Sequence, residues 1–148
     1  MSAFFVRGQS IVDVYRIGKQ AMGFFRLDGL IAVAPRVSLK FDREPHAEVW
    51  RRTKCVFFVP TKLRVYAAYL PDSVRRKLQG EPPGLRALRD FMKGKPAEVV
   101  DLTPFLRRAA DNRLQRGQYV FWRDDSHWNV NGVKAVSAEV AKCLTKEG

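Results

Sequence analysis

The stretch Arg123 to Gly132 reads RDDSHWNVNG and gathers two carboxylates, a hydroxyl, an imidazole and two amides in a chain with only two histidines. Asp124 and His127 stand three residues apart. In a loop, that spacing lets a carboxylate accept a hydrogen bond from one ring nitrogen while the other faces a cleft. Such a pair fixes the imidazole tautomer and stabilises the imidazolium formed when histidine takes a proton from a nucleophile. Asp125 is a competing partner, and spacing does not separate the two. A plainer reading fits as well: Asp-Asp-Ser before a helix forms turns and N-caps, with His127 bonded to a neighbour.

The elements around this stretch decide whether it faces a cleft. Tyr119 to Trp122, reading YVFW, is a short apolar strand candidate. Asn129 or Asn131 can cap a last helix with Val133, Val136, Val140 and Leu144 on its apolar face. Upstream, Lys54 to Val59 reads KCVFFV, a continuous run of β-formers closed by Pro60, as expected of a central strand buried on both faces. Ala97 to Val100 is another strand candidate with Asp101 at its C-terminal end, where Asp101 caps the following helix or faces the cleft. Thr103 as N-cap and Pro104 at the first helical position open that helix. Ser73 to Leu78 predicts one or two helical turns. After the breakers Gly80-Glu81-Pro82-Pro83-Gly84, the residues Leu85, Leu88, Phe91 and Met92 give a helical face. Near the start, Ile11, Val14, Tyr15, Gly18, Ala21, Met22 and Phe25 keep a helical period, with Ser10 as its cap. Leu30 to Ala34 is a short apolar run, and residues 35–52 carry no clear signal. Alternating strands and helices imply an α/β, three-layer sandwich-like fold with a mainly parallel sheet. In such folds sites form outside the C-terminal ends of strands, where RDDSHWNVNG would lie.

Composition narrows the partners. The chain has 148 residues, 46% hydrophobic and 28% charged, which fits one globular domain. A formal charge of +12 invites a polyanion, but the 27 basic residues are scattered in short groups such as Arg75-Arg76-Lys77, which argues against a nucleic-acid binder. No apolar run reaches a membrane span of about 20 residues. No metal-ligand set, phosphate loop or dinucleotide fingerprint is present, so neither a metal nor a cofactor is expected. Cys55 and Cys143 lie in apolar patterns and are expected to fill core space rather than pair. His46 reads as a surface residue, and Tyr66, Tyr69 and Trp122 as packing residues.

DDSHWNVNGVKAVSAEVAKCL resembles the C-terminal block of the SGNH, or GDSL-type, hydrolases, in which an Asp-x-x-His loop supplies two members of a Ser-His-Asp triad. VFFVPTKLRVYAAYLP followed by VVDLTPFLRRAA is similar to the alginate O-acetyltransferase-like branch of that superfamily, and GQSIVDVYRI resembles the helix preceding this half in relatives. The resemblance runs from Gly8 to Leu144 and is strongest from Val56 onward. It implies a partial SGNH/flavodoxin-like fold with His127 as general base and Asp124 as its orienter, Asp125 being the alternative. Trp128, Asn129 and Gly132 would shape the turn into the last helix, and Lys62, Trp128 and Asn129 are candidate substrate contacts. Lys62 also reads as an ordinary exposed loop lysine. The implied chemistry is hydrolysis or transfer of an acyl ester, a carbohydrate O-acyl ester being one option, in a family whose members are often periplasmic or membrane-associated.

The chain departs from that family in one important respect. It has no Gly-Asp-Ser, and its asparagines are Asn112, Asn129 and Asn131, none placed to form the family's oxyanion block. Ser137 follows the Asp-His pair but sits on the last helix, which does not suit a nucleophile. Two expectations remain open. One is a single domain over residues 1–148 that is incomplete at its N-terminus. The other is a variant nucleophile at Ser10, where AFFV would be a strand and Ser10 its strand-to-helix turn. From another class comes an inactive fragment or basic binding module for anionic polymers. A sheet missing a strand would leave an open edge, so self-association is also expected.

Overall fold

Gly18 decides how residues 12–25 fold. At φ 61° it takes a left-handed conformation that other residues avoid, and with Lys19 it makes a tight turn. The chain therefore doubles back as an antiparallel hairpin of β3 (Val12–Ile17) and β4 (Gln20–Phe25), with Ile17 opposite Gln20 and Tyr15 opposite Met22. This replaces the expected helix from Ser10. Tyr15, Ile17, Met22 and Phe24 turn inward while Val14 and Arg16 face solvent, a period of two. Before the hairpin, β1 (Phe5–Val6) pairs antiparallel with β2 (Gln9–Ser10). Ser10 thus lies in a strand rather than at a helix cap or a strand-to-helix turn.

The computed structural model describes residues 5–6, 9–10, 12–25 and 47–145. His46 and the run from Leu30 to Ala34 lie outside them.

Helix α1 (Ala47–Arg52) leads to β5 (Cys55–Phe58), which pairs in parallel with β6 (Glu98–Asp101), Cys55 opposite Glu98 and Phe58 opposite Asp101. Both fall where the apolar runs predict strands, though the β5 side chains are half-buried rather than enclosed on both faces. Pro60 lacks the N–H that would extend the ladder. Thr61 then caps the one-turn helix α2 (Lys62–Val65), its hydroxyl accepting from the Arg64 amide at 3.4 Å. A single turn α3 (Asp72–Arg75) and a 3-10 turn at Arg76–Leu78 precede α4 (Pro83–Met92), which buries Leu85 and Met92 as the spacing predicts. With α5 (Thr103–Leu114) and α6 (Val130–Thr145), these elements give a mixed α/β fold with helices around a parallel pair, consistent with a partial SGNH/flavodoxin-like architecture.

Several local expectations change. The Asp101 carboxylate, not Thr103, caps α5 by accepting the Thr103 amide at 2.9 Å; Thr103 is itself the first helical residue. Tyr119 to Trp122 forms no strand, because only Phe121 makes a bridge, with Trp128 a few residues on. Its apolar character reflects burial instead: Val120 and Phe121 sit in the core with Tyr66, Phe24, Leu102 and Leu106. Helix α6 buries Gly132, Val136 and Cys143, while Val133 and Leu144 are 53% and 68% exposed. The cysteines are not free core fillers but a disulfide, Cys55–Cys143, joining the start of β5 to the last turn of α6.

Gly132 belongs to the inward face for a steric reason. A Cβ there would overlap the Val120 carbonyl oxygen and press on the Trp128 side chain. Gly132→Ala is therefore expected to destabilise the fold by about 2–3 kcal/mol, in spite of alanine's better helix propensity. Urea unfolding of the two proteins measures this; an unchanged or raised midpoint would refute the close approach.

Candidate active site

The chain leaves the core after Phe121 and returns to it at Trp128. The Asn129 amide donates to the Val120 carbonyl and the Trp122 amide to the His127 carbonyl, both at 3.1 Å, so Trp122 to His127 is a loop closed at its base. Asn129 works as a clamp. Its Oδ1 caps α6 by accepting from the Asn131 and Gly132 amides at 2.9 and 3.2 Å, and its Nδ2 donates to the Tyr119 and Phe121 carbonyls at 2.8 and 3.1 Å. The Tyr66 hydroxyl, fully buried and pushed up to about 12 chiefly by that burial, accepts the Val120 amide at 3.0 Å.

Lys62 positions the loop from below. It is 2% exposed, and its ammonium donates to the carbonyls of Gly23, Trp122, Arg123 and Asp125 at 2.8, 2.7, 2.9 and 3.1 Å. An ammonium withdrawn from water needs such acceptors, since its desolvation is otherwise prohibitive. Three of the four belong to the loop and the fourth to β4, whose Gly23 amide also donates to the Arg123 carbonyl at 3.0 Å. The hairpin, α2 and the loop thus meet at one charged nitrogen. Lys62 is neither an exposed loop lysine nor turned outward toward a ligand.

The Asp125 residue anchored in this way also holds the imidazole. Its Oδ1 lies 2.5 Å from His127 Nδ1 and accepts the His127 amide at 3.0 Å. The His127 hydrogen bond keeps the Asp125 carboxyl below the usual carboxylate range. An ionised carboxylate only accepts, so Nδ1 is the nitrogen that donates to it; in the neutral imidazole Nε2 then holds the lone pair, the arrangement a general base requires. The His127 side chain is 81% exposed, and among the described residues its ring meets no other hydrogen-bond partner.

Asp124, the orienter that the resemblance implies, points elsewhere. Its carboxylate pairs with Arg123, at 3.1 Å from Nε to each oxygen and 2.9 Å from Nη2 to Oδ2, which holds it below its ordinary pKa. The structure therefore brings His127 together with Asp125, the alternative orienter. Lys62 and Asn129, expected as substrate contacts, give the polar groups described above to the protein's own backbone, and Trp128 is half-buried against the core. Ser10 contributes the backbone of β2, and no hydroxyl among the described residues bonds the His127 ring. Arg123 and Gly23 were not singled out by the sequence. Arg123 could have been, as the basic neighbour of Asp124, whereas nothing local marks Gly23.

Residues 52–148, well over half of the chain, match the family model described as SGNH hydrolase-like domain, acetyltransferase AlgX. The chain belongs to that family. No curated protein and no solved structure matches it. Membership in the AlgX-type SGNH family makes the hydrolase and acetyltransferase kind the frame for its chemistry. The matched span of this AlgX-type domain contains the whole loop, its clamp Asn129 and the anchor Lys62. Among the described residues, no group of three His, Cys, Asp or Glu side chains could hold a metal, and no helix is long and apolar enough to cross a membrane.

Proposed function

We infer that the chain carries the general-base half of a serine-type acyl-ester site, used for hydrolysis or transfer of an acyl group. The observation that carries this reading is the Asp125–His127 pair, with Nδ1 held at 2.5 Å and the ring open to solvent on a loop anchored from three sides. In this reading His127 takes the proton of a serine hydroxyl as it attacks the ester carbonyl and returns it to the leaving oxygen, while Asp125 keeps the ring in register. Ser10 is the candidate nucleophile within the chain, and a carbohydrate O-acyl ester is the substrate class suggested by the family's acetyltransferase description. A second reading is favoured by the absence, among the described residues, of any hydroxyl on the ring: a domain with no turnover of its own, serving as a basic binding module with its charge of +12.

Hydrolysis of a short-chain nitrophenyl ester by the purified chain distinguishes these readings. His127→Ala is expected to lower the rate by about 100-fold or more and Asp125→Asn by about tenfold or more, with Asp124→Asn close to the parent. Because the His127 hydrogen bond holds the Asp125 carboxyl below the usual carboxylate range, Asp125 is ionised at neutral pH, and Asp125→Asn there removes a charged acceptor rather than a neutral acid. A loss in Asp124→Asn with Asp125→Asn unaffected would return the orienting role to Asp124. Loss in Ser10→Ala equal to that in His127→Ala would make Ser10 the nucleophile. No turnover above background in the parent would leave the binding module.

A further inference from the structure

The geometry points to a second site, independent of the ester reading: a cleft that binds the carboxylate of a small organic acid through Arg107. The cleft has a volume of about 330 Å³ and lies where α2, the turn at residues 76–80 and α5 meet. That is the size of a small-ligand pocket. Val65, Ala67 and Leu78 give it an apolar wall, and Arg75, Arg107 and Asp111 supply charged side chains. It shares no lining residue with the His127 loop.

Three features make Arg107 the centre of recognition. First, its Nε donates to the Arg64 carbonyl at 2.9 Å, which fixes the half-buried guanidinium plane before any ligand arrives. Its terminal nitrogens make no hydrogen bond among the described residues. A guanidinium held in this way presents a fork that matches a carboxylate in two parallel bonds.

Second, the other polar groups around the cleft already have partners. Arg64, 3% exposed, donates from Nη1 to the Leu78 and Gly80 carbonyls at 3.0 and 3.1 Å. Asp111 accepts the Tyr69 hydroxyl at 2.7 Å, and Arg75 is held by Asp72 at 2.6 Å on the outer rim.

Third, Arg64 and Arg107 are like charges in a poorly hydrated place. Burial first, and Arg107 second, pull the Arg64 guanidinium below its ordinary value, and both outweigh the opposing Asp101. A bound anion relieves that repulsion, so the free cleft stores part of the driving force for binding. The apolar wall beside the arginine selects an acid with a carbon body over a bare inorganic ion.

The test is calorimetric titration of the full chain with sodium benzoate, against sodium chloride and sodium sulfate at matched ionic strength. Saturable one-site binding of benzoate is expected, with a Kd on the order of 1 mM, as suits a ligand of that size. Arg107→Gln should weaken it tenfold or more, Arg107→Lys by a smaller factor because a point charge replaces the fork, and the exposed Arg116→Gln not at all. If Arg107→Gln does not give a cooperative thermal transition, Arg75→Gln on the rim takes its place, with a loss of about threefold expected. Absence of saturable benzoate binding in the parent, or parent-like binding in the folded arginine variants, overturns the site. Sulfate binding as tightly as benzoate overturns the carboxylate assignment.

Discussion

Lys62→Met should destabilise the folded domain by about 3 kcal/mol and lower its thermal midpoint by roughly 10 °C. Methionine keeps most of the apolar stem but removes the ammonium, leaving the carbonyls of Gly23, Trp122, Arg123 and Asp125 without their shared donor. Hydrogen bonds from a charged donor are worth about 1.5–3 kcal/mol each, and the three N–H groups shared among these carbonyls would together exceed the figure given. Two effects reduce it: the buried ammonium no longer has to be desolvated, and water can reach carbonyls at the loop surface. The loss should also be local in character. Amide exchange in residues 122–127 should accelerate more than in α5, because the ammonium joins that loop to α2 and, together with the Gly23 amide, to β4. Since the Asp125 backbone is one of the four acceptors, the same substitution should loosen the Asp125–His127 pair and, under the proposed function, lower ester hydrolysis below what the remaining folded fraction explains. A midpoint shifted by less than about 2 °C with unchanged loop exchange would remove Lys62 from this role.

Reducing the Cys55–Cys143 disulfide, or replacing both residues by alanine, should cost about 2–4 kcal/mol. The bond closes a loop across 88 positions, for which chain-entropy arguments give a ceiling of about 4–5 kcal/mol. Its place in the fold adds a consequence. Asn129 caps the first turn of α6 and Cys143 lies in its last, so the helix behind the His127 loop is fixed at both ends. Breaking the bond should fray the C-terminal turns of α6 and leave the Asn129 end in place, so stability falls more than ester hydrolysis does. Denaturant unfolding of oxidised and reduced protein, with a free-thiol count on the oxidised sample, decides this. Coincident midpoints, or two titratable thiols in the native protein, would count against the pairing. Disulfides persist in oxidising surroundings, so the comparison starts from protein prepared without reductant.

The parts of the fold that the amino-acid order makes legible are those with strong local punctuation. The apolar run CVFF ended by Pro60, the strand EVVD followed by Thr103-Pro104, and the asparagines before the last helix each carry their boundaries in neighbouring residues. The His127 loop was legible for the same reason: its chemistry lies within ten consecutive residues. The N-terminal hairpin was not, because Ile11, Val14, Tyr15 and Gly18 satisfy a helical spacing while VDVYRI alternates as a strand does. Only packing of Ile17, Met22 and Phe24 into a shared core chooses between the two.

What remained belonged to tertiary structure because it depends on groups far apart in the chain. The acceptors of Lys62 lie 39 to 63 residues away, and a lysine reads as exposed until such carbonyls are assembled around it. Cys55 and Cys143 read as separate apolar positions until β5 and α6 bring their Cα atoms to 6.3 Å. The choice of orienter is the finest case. Asp124 and Asp125 were equally placed by spacing, and the difference arose when Arg123 took one carboxylate while Lys62 fixed the backbone of the other beneath the His127 ring. Local order set the residue types at the site; long-range burial of a single charge decided which of them meet.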